Sequence, residues 1–128
     1  MCQENSKRTH SKTVKCYRVY ELLLSGLITS YYEGKRLPKL GVPTRAFAGP
    51  FHAFRSRAAI LHWFNYTTLH QDWTKFVVYE CELSGNVKSG RWGDTTKCTT
   101  YTGETLTIRK KVATGNFFKG TLELVWTA

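Results

Sequence analysis

Hydrophobic positions along this chain recur mostly at period two. Over residues 14–24 the even positions Val14, Cys16, Tyr20, Leu22 and Leu24 are apolar apart from Arg18, while the odd ones include Lys15 and Glu21. That alternation predicts a strand with one buried face. Ser25-Gly26 predicts a turn into a short second strand over 27–32, completing a hairpin. Residues 35–43 hold Pro38, Gly41 and Pro43 and read as a loop. A brief strand over 45–48, a turn at Gly49-Pro50 and a strand over 51–54 follow. The period then changes. Ser56 is a good N-cap, and Ala59, Ile60, Trp63 and Phe64 form an apolar stripe on a segment free of Gly and Pro until past Tyr66, which predicts a helix packed across the sheet.

Period two returns over 76–83, where Val77, Tyr79, Cys81 and Leu83 make one apolar face and the other ends in Glu80 and Glu82. Ser84-Gly85-Asn86 closes that strand with turn chemistry. Residues 88–97, with Gly90, Gly93 and Asp94, read as an exposed excursion. Over 104–112, Leu106, Ile108 and Val112 are expected inward and Thr105, Thr107, Arg109 and Lys111 outward; 121–127 predicts a last strand with Leu122, Leu124 and Trp126 on one face. The expected fold is α+β, an antiparallel sheet of about six strands with one main helix packed across it. Residues 1–13, with Lys7, Arg8, His10 and Lys12 among polar neighbours, read as a basic flexible arm. Residues 14–128 read as a single α+β domain, in which no internal repeat is visible.

Composition narrows the function classes. At 41% hydrophobic and 14% aromatic, 128 residues can fill a core, so the chain is neither disordered nor collagen-like. Nineteen Lys and Arg against nine Asp and Glu give a net charge of +10, which points to an anionic partner. The first twenty residues contain no apolar run of the signal-peptide kind, and the stretch 22–28 is far shorter than the ~20 residues a membrane span needs, so a cytoplasmic location without membrane association is expected. Cys2, Cys16, Cys81 and Cys98 form no C-x-x-C pair and read as reduced thiols packed as small hydrophobes. The histidines His10, His52, His62 and His70 show no metal-binding spacing, and phosphate-loop glycine motifs are absent, so neither metal nor cofactor is expected.

Candidate chemistry therefore follows the cations. Arg55 and Arg57 flank Ser56 at the start of the helix, where the macrodipole disfavours positive charge unless an anion binds. The same two residues read equally as solvated or paired with carboxylates elsewhere. Thr105, Thr107, Arg109 and Lys111 line up at period two, as suits a ribose-phosphate surface or an ordinary solvated strand face. Lys88, Arg91 and Trp92 sit among glycines in a way that lets Trp92 stack on a base while the cations hold phosphate, although a Trp there can also fold back onto the core. Glu80 and Glu82 form a Glu-x-Glu on a strand, an arrangement similar to the catalytic edge of ADP-ribosyltransferases, but no Ser-Thr-Ser-like partner strand accompanies it.

Three strings carry a wider resemblance: Tyr17-Arg18-Val19-Tyr20, then 49–59 from Gly49-Pro50-Phe51 to Ala59, then Val77-Val78-Tyr79-Glu80-Cys81-Glu82-Leu83-Ser84-Gly85. Across residues 15–112 the chain resembles small phage proteins of the first Thoeris anti-defence family, sponges for cyclic ADP-ribose signals and, in some members, cyclic oligonucleotides. The resemblance implies a phage-encoded homo-oligomer in the host bacterial cytoplasm that buries a nucleotide between protomers, releases it unchanged on denaturation and performs no chemistry. On that expectation no residue is catalytic. Arg55, Arg57, Lys88, Arg91 and Arg109 are the candidate phosphate partners, Phe54 and Trp92 the stacking candidates, Asn86 a base or ribose contact, and Thr107 part of the same surface. Two alternatives remain: a single-stranded RNA- or DNA-binding protein, and an ADP-ribosyltransferase-like enzyme relying on Glu82.

Overall fold

The computed structural model describes residues 4–10, 12–26, 28–30, 37–47, 49–66, 73–91, 99–118 and 121–127. The strands are β1 (Glu4–His10), β2 (Val14–Leu22), β3 (Ile28–Ser30), β4 (Thr44–Arg45), β5 (Phe51–Phe54), β6 (Trp73–Ser84), β7 (Val87–Arg91), β8 (Thr99–Gly103), β9 (Thr105–Phe118) and β10 (Thr121–Trp126), with helix α1 (Arg57–Tyr66) between β5 and β6. They form one sheet in the order β1-β7-β8-β5-β2-β6-β9-β10, with β3 beside β2 and β4 beside β9. Each pairing is antiparallel. The α+β class with one helix across an antiparallel sheet is as expected.

The strand count exceeds the expected six, and the surplus falls where hydrophobic alternation is weakest. Residues 4–10 belong to the stretch predicted as a flexible arm, yet they pair with β7, His10 opposite Val87 and Arg8 opposite Ser89. Residues 87–91, expected in an exposed excursion, form β7, which pairs with β8 from Lys88 opposite Thr102 to Arg91 opposite Thr99. These strands are rich in Thr, Ser, Gly and charge. Backbone hydrogen bonds hold them together, and those leave no pattern in the side chains. The remainder of that excursion, with Trp92, lies outside the described residues.

β2 departs from the one-face expectation because both of its faces are covered. Its odd positions Tyr17 and Val19 join the cluster beneath α1, with Phe54, Ala59, Ile60, Trp63, Phe76, Val78, Val112 and Ala113. Its even positions Cys16 and Tyr20 face the other way, with Val77, Cys81, Leu83, Leu106 and Ile108, against Ile28 and Leu37. Leu37 N–H donates to Ile28 O (3.0 Å) and Gly41 N–H to Ile108 O (2.7 Å), which tie residues 37–41 over that second face. Cys16 and Cys81, free thiols, are wholly buried directly opposite each other. The hydrogen bond with Cys81, reinforced by burial, pushes the Cys16 thiol far above its ordinary range and keeps it protonated. Cys2 and Cys98 lie outside the described residues.

The helix begins as predicted. Ser56 Oγ accepts the Ala59 N–H at 3.2 Å, the N-cap bond that satisfies one orphan donor of the first turn. Ala59, Ile60 and Trp63 are buried, and the Trp63 ring packs 5.4 Å from that of Phe54. Along β9 the period-two row breaks: register shifts beside Val78/Tyr79 and Glu80/Cys81 leave Thr107 opposite Glu82 but Lys110 opposite Glu80 and Lys111 opposite Tyr79. The bulges therefore send Val112 to the helix face, while Leu106 and Ile108 point to the other.

Candidate anion-binding cleft

Two of the candidate residues meet at the turn joining β6 to β7. Gly85 (φ 76°) and Asn86 (φ 49°) both adopt left-handed conformations in the tight turn that carries the chain from β6 to β7, strands that are not neighbours in the sheet. The Glu104 N–H bridges the carbonyls of Ser84 (3.2 Å) and Gly85 (3.0 Å), docking the turn against the junction of β8 and β9. Ala46 N–H donates to Glu104 O at 2.7 Å and fixes the end of β4 on the same junction. Arg45, Ala46, Gly49, Pro50, Asn86, Lys88, Thr102 and Glu104 thus line one surface cleft of about 440 Å³.

Its electrostatics favour an anion. Arg45 and Lys88 are exposed cations, and the cleft's one carboxylate, Glu104, lies 3.6 Å from Arg45 Nη2. That pair is long and solvated, so it is weak and yields readily to a stronger acceptor such as phosphate. Lys88 has no ion pair among the described residues, and it projects beside Thr102, its cross-strand neighbour. Phe47, in the segment that carries Arg45 and Ala46 into the cleft wall, is fully exposed at 101%. The ring stands two residues along the chain from Arg45, outside the cleft lining, and an exposed aromatic carried on the same segment as a phosphate-binding cation is the pairing that base stacking uses. Arg45, Phe47 and Glu104 were not among the candidates. The signal available in the sequence was an Arg and a Phe in a short segment between Pro43 and Gly49-Pro50, where little core is at hand to take the ring.

The other candidates are dispersed. Phe54 is a correction: it is 3% exposed and packed on Trp63, because its strand position points beneath the helix, so it offers no stacking surface. Arg57 lies over the Trp126 ring with its guanidinium 4.5 Å from the centroid, and Trp126 meets Tyr17 edge-on at 6.3 Å. Arg55 is exposed at the helix start, where the Ser56 hydroxyl is already spent on the cap. Arg109 donates from Nε to Glu82 Oε1, and Thr107 is buried beside that pair, opposite Glu82. Arg91 closes β7 opposite Thr99, and Trp92 lies outside the described residues. Arg55, Arg57 and Arg109 therefore do not converge with Lys88 and Asn86 on the cleft.

Glu80 and Glu82 each meet a cation, Lys15 Nζ at 3.0 Å from Glu80 and Arg109 on Glu82. The Glu80 hydrogen bond raises the Lys15 pKa. Among the described residues no group of three or more His, Cys, Asp or Glu is placed to hold a metal ion, and no helix is long and apolar enough to cross a membrane. No protein family, curated protein or solved structure matches the chain.

Proposed function

We propose that this protein binds and sequesters a small anionic nucleotide without transforming it, the ligand class being a cyclic ADP-ribose isomer or a cyclic oligonucleotide used as an immune signal, in phage counter-defence. The observation that carries the binding is the meeting of Arg45, Lys88 and Asn86 in one cleft, with Phe47 exposed two residues along the chain from Arg45. Two cations suit a phosphate or pyrophosphate, Phe47 suits the base, and the Asn86 amide supplies both a donor and an acceptor for a base edge or ribose. The cyclic class and a homo-oligomeric assembly rest on the sequence resemblance. Nothing in this reading asks for a nucleophile or a general base.

Native mass spectrometry of the purified protein with cyclic ADP-ribose isomers, cyclic di- and trinucleotides and a short RNA reads subunit number and bound mass together. Retention of one small nucleotide, recovered at unchanged mass after denaturation, is expected. Lys88→Ala and Arg45→Ala should each weaken it about tenfold, the worth of one charge-assisted contact. Recovery of a cleaved or NAD-derived product, lost on Glu82→Gln, would replace this reading with the enzymatic one. A second reading, single-stranded nucleic acid binding, draws support from Arg109, Lys110 and Lys111, consecutive and exposed on β9. It requires RNA affinity that grows with length and falls steeply with salt.

A further inference from the structure

A bulge in β9 gathers cations on one face of the sheet. A regular strand sends consecutive side chains to opposite faces, yet Arg109 and Lys110 serve the same one. Cys81 and Glu80 are consecutive on β6, but their partners on β9 are Ile108 and Lys110, so Arg109 is the extra residue between them. Lys110 stands opposite Glu80, and Arg109 donates to Glu82, two residues along β6 on the same side. Lys111, opposite Tyr79, falls on the other face.

β2 and α1 extend the cationic side. Lys15 reaches Glu80 with its Nζ at 3.0 Å and lies 6.0 Å from the centre of the Tyr17 ring. Tyr17 meets Trp126 edge-on, and Arg57, the first residue of α1, lies over the Trp126 ring at 4.5 Å. Both rings pack against the cluster beneath the helix, which fixes the side of the sheet. Contacts thus run without a break from Arg57 through Trp126, Tyr17 and Lys15 to Lys110 and Arg109.

Four cations meet two carboxylates on this face. Lys15 and Arg109, which engage Glu80 and Glu82, keep 63% and 50% of their side chains exposed, and Arg57 and Lys110 are exposed as well. Solvated pairs of this kind leave ammonium and guanidinium donors over for a further acceptor. The charge is spread across β2, β6, β9 and the start of α1, a layout that suits an extended polyanion. Arg57 favours nucleic acid over an acidic peptide, because a guanidinium seated on an indole presents a plane on which a base stacks.

We propose that this face binds single-stranded nucleic acid, with Lys15, Arg109 and Lys110 on successive phosphates and a base stacked on Arg57. The proposal rests on the nucleic-acid reading above, and the face shares no residue with the cleft of Arg45 and Lys88.

The test uses the full chain and a labelled oligouridylate of about twelve nucleotides, within the site sizes usual for such surfaces. The logarithm of affinity should fall against the logarithm of salt with a slope of about −2, as three phosphate contacts to a single strand give. Lys110→Gln should flatten that slope by about 0.7, whereas Lys111→Gln, the same change one residue away, should leave it nearly intact. Arg57→Gln should weaken binding about tenfold. Glu82→Gln releases Arg109 and should tighten binding, a gain that no loss of structure produces. In ¹H–¹⁵N spectra of the unsubstituted protein the Trp126 indole N–H should shift saturably with the oligomer, which keeps the test free of folding defects in any variant. Binding with a still Trp126 resonance, or equal effects of Lys110→Gln and Lys111→Gln, would overturn this face and leave the nucleic-acid reading standing; no affinity at all removes both. A duplex that binds as tightly, or polyglutamate that competes equally at matched charge, would also overturn the proposal.

Discussion

Asn86 adopts a left-handed conformation, φ 49°, at the lip of the cleft. Its backbone thus serves the turn while its side chain is placed to serve a ligand, and two substitutions separate the roles. Asn86→Gly keeps the backbone conformation at little cost to stability and removes the amide, so nucleotide affinity should fall while the denaturation midpoint stays nearly constant. Asn86→Ala removes the amide and also strains the turn, costing about 1 kcal/mol in chemical denaturation. Equal affinities for the Gly variant and the parent would remove Asn86 from the site. The two phenylalanines make a similar contrast. Phe54→Ala empties a position buried against Trp63 and should cost about 3–5 kcal/mol, whereas Phe47→Ala changes a side chain fully in water, should move stability by less than about 0.5 kcal/mol and should weaken nucleotide binding. Both are Phe within two residues of an Arg in the sequence. Only the three-dimensional packing of α1 over β5 tells the core ring from the exposed one, which is why Phe54 read as a stacking candidate and Phe47 was passed over.

At the scale of elements, the sequence was most legible where side chains are buried with a regular period. The Ser56 cap and the Ala59, Ile60, Trp63 stripe mark the helix, and the Val77, Tyr79, Cys81, Leu83 face marks β6, because burial selects apolar residues at 3.6 or at 2. β1, β7 and β8 were opaque because they are rich in Thr, Ser, Gly and charge, without an apolar alternation, and are held by backbone bonds, and β9 misled because its bulges change which face each residue takes. The pairing of β9 with β10 has its own signature. Gly115 lies opposite Leu124, and a Cβ there would meet the Leu124 side chain and stand 2.6 Å from the Glu123 carbonyl oxygen. Leucine can turn aside, but a ladder carbonyl cannot. Gly115→Ala should therefore push β10 off the sheet, costing about 1–3 kcal/mol. Hydrogen exchange should show the lost protection concentrated in residues 121–126; protection lost evenly across the sheet would contradict this local account.

For the whole molecule, the surplus of ten positive charges bears on partners, while the pH response of stability depends on which groups change their protonation on folding. Glu21, near the end of β2, is such a group: burial raises its carboxyl above the ordinary 4.5. A raised acid is protonated more readily in the folded chain than in the unfolded one. Below the unfolded value both states hold the proton and Glu21 imposes no penalty. As pH rises through the folded value the folded chain must accept a partly buried charge, and the stability present at low pH is lost. Glu21→Gln, which is neutral throughout, should therefore raise the thermal midpoint at pH 7, and the advantage should shrink to nothing as the pH falls below 4.5. Measured on the parent and the variant in the same buffers, the difference isolates Glu21 from the many cations that titrate elsewhere. A gain that persists unchanged at pH 3 would mean that the glutamine stabilises by packing, and that desolvation of the Glu21 carboxylate contributes nothing to the pH dependence of the fold.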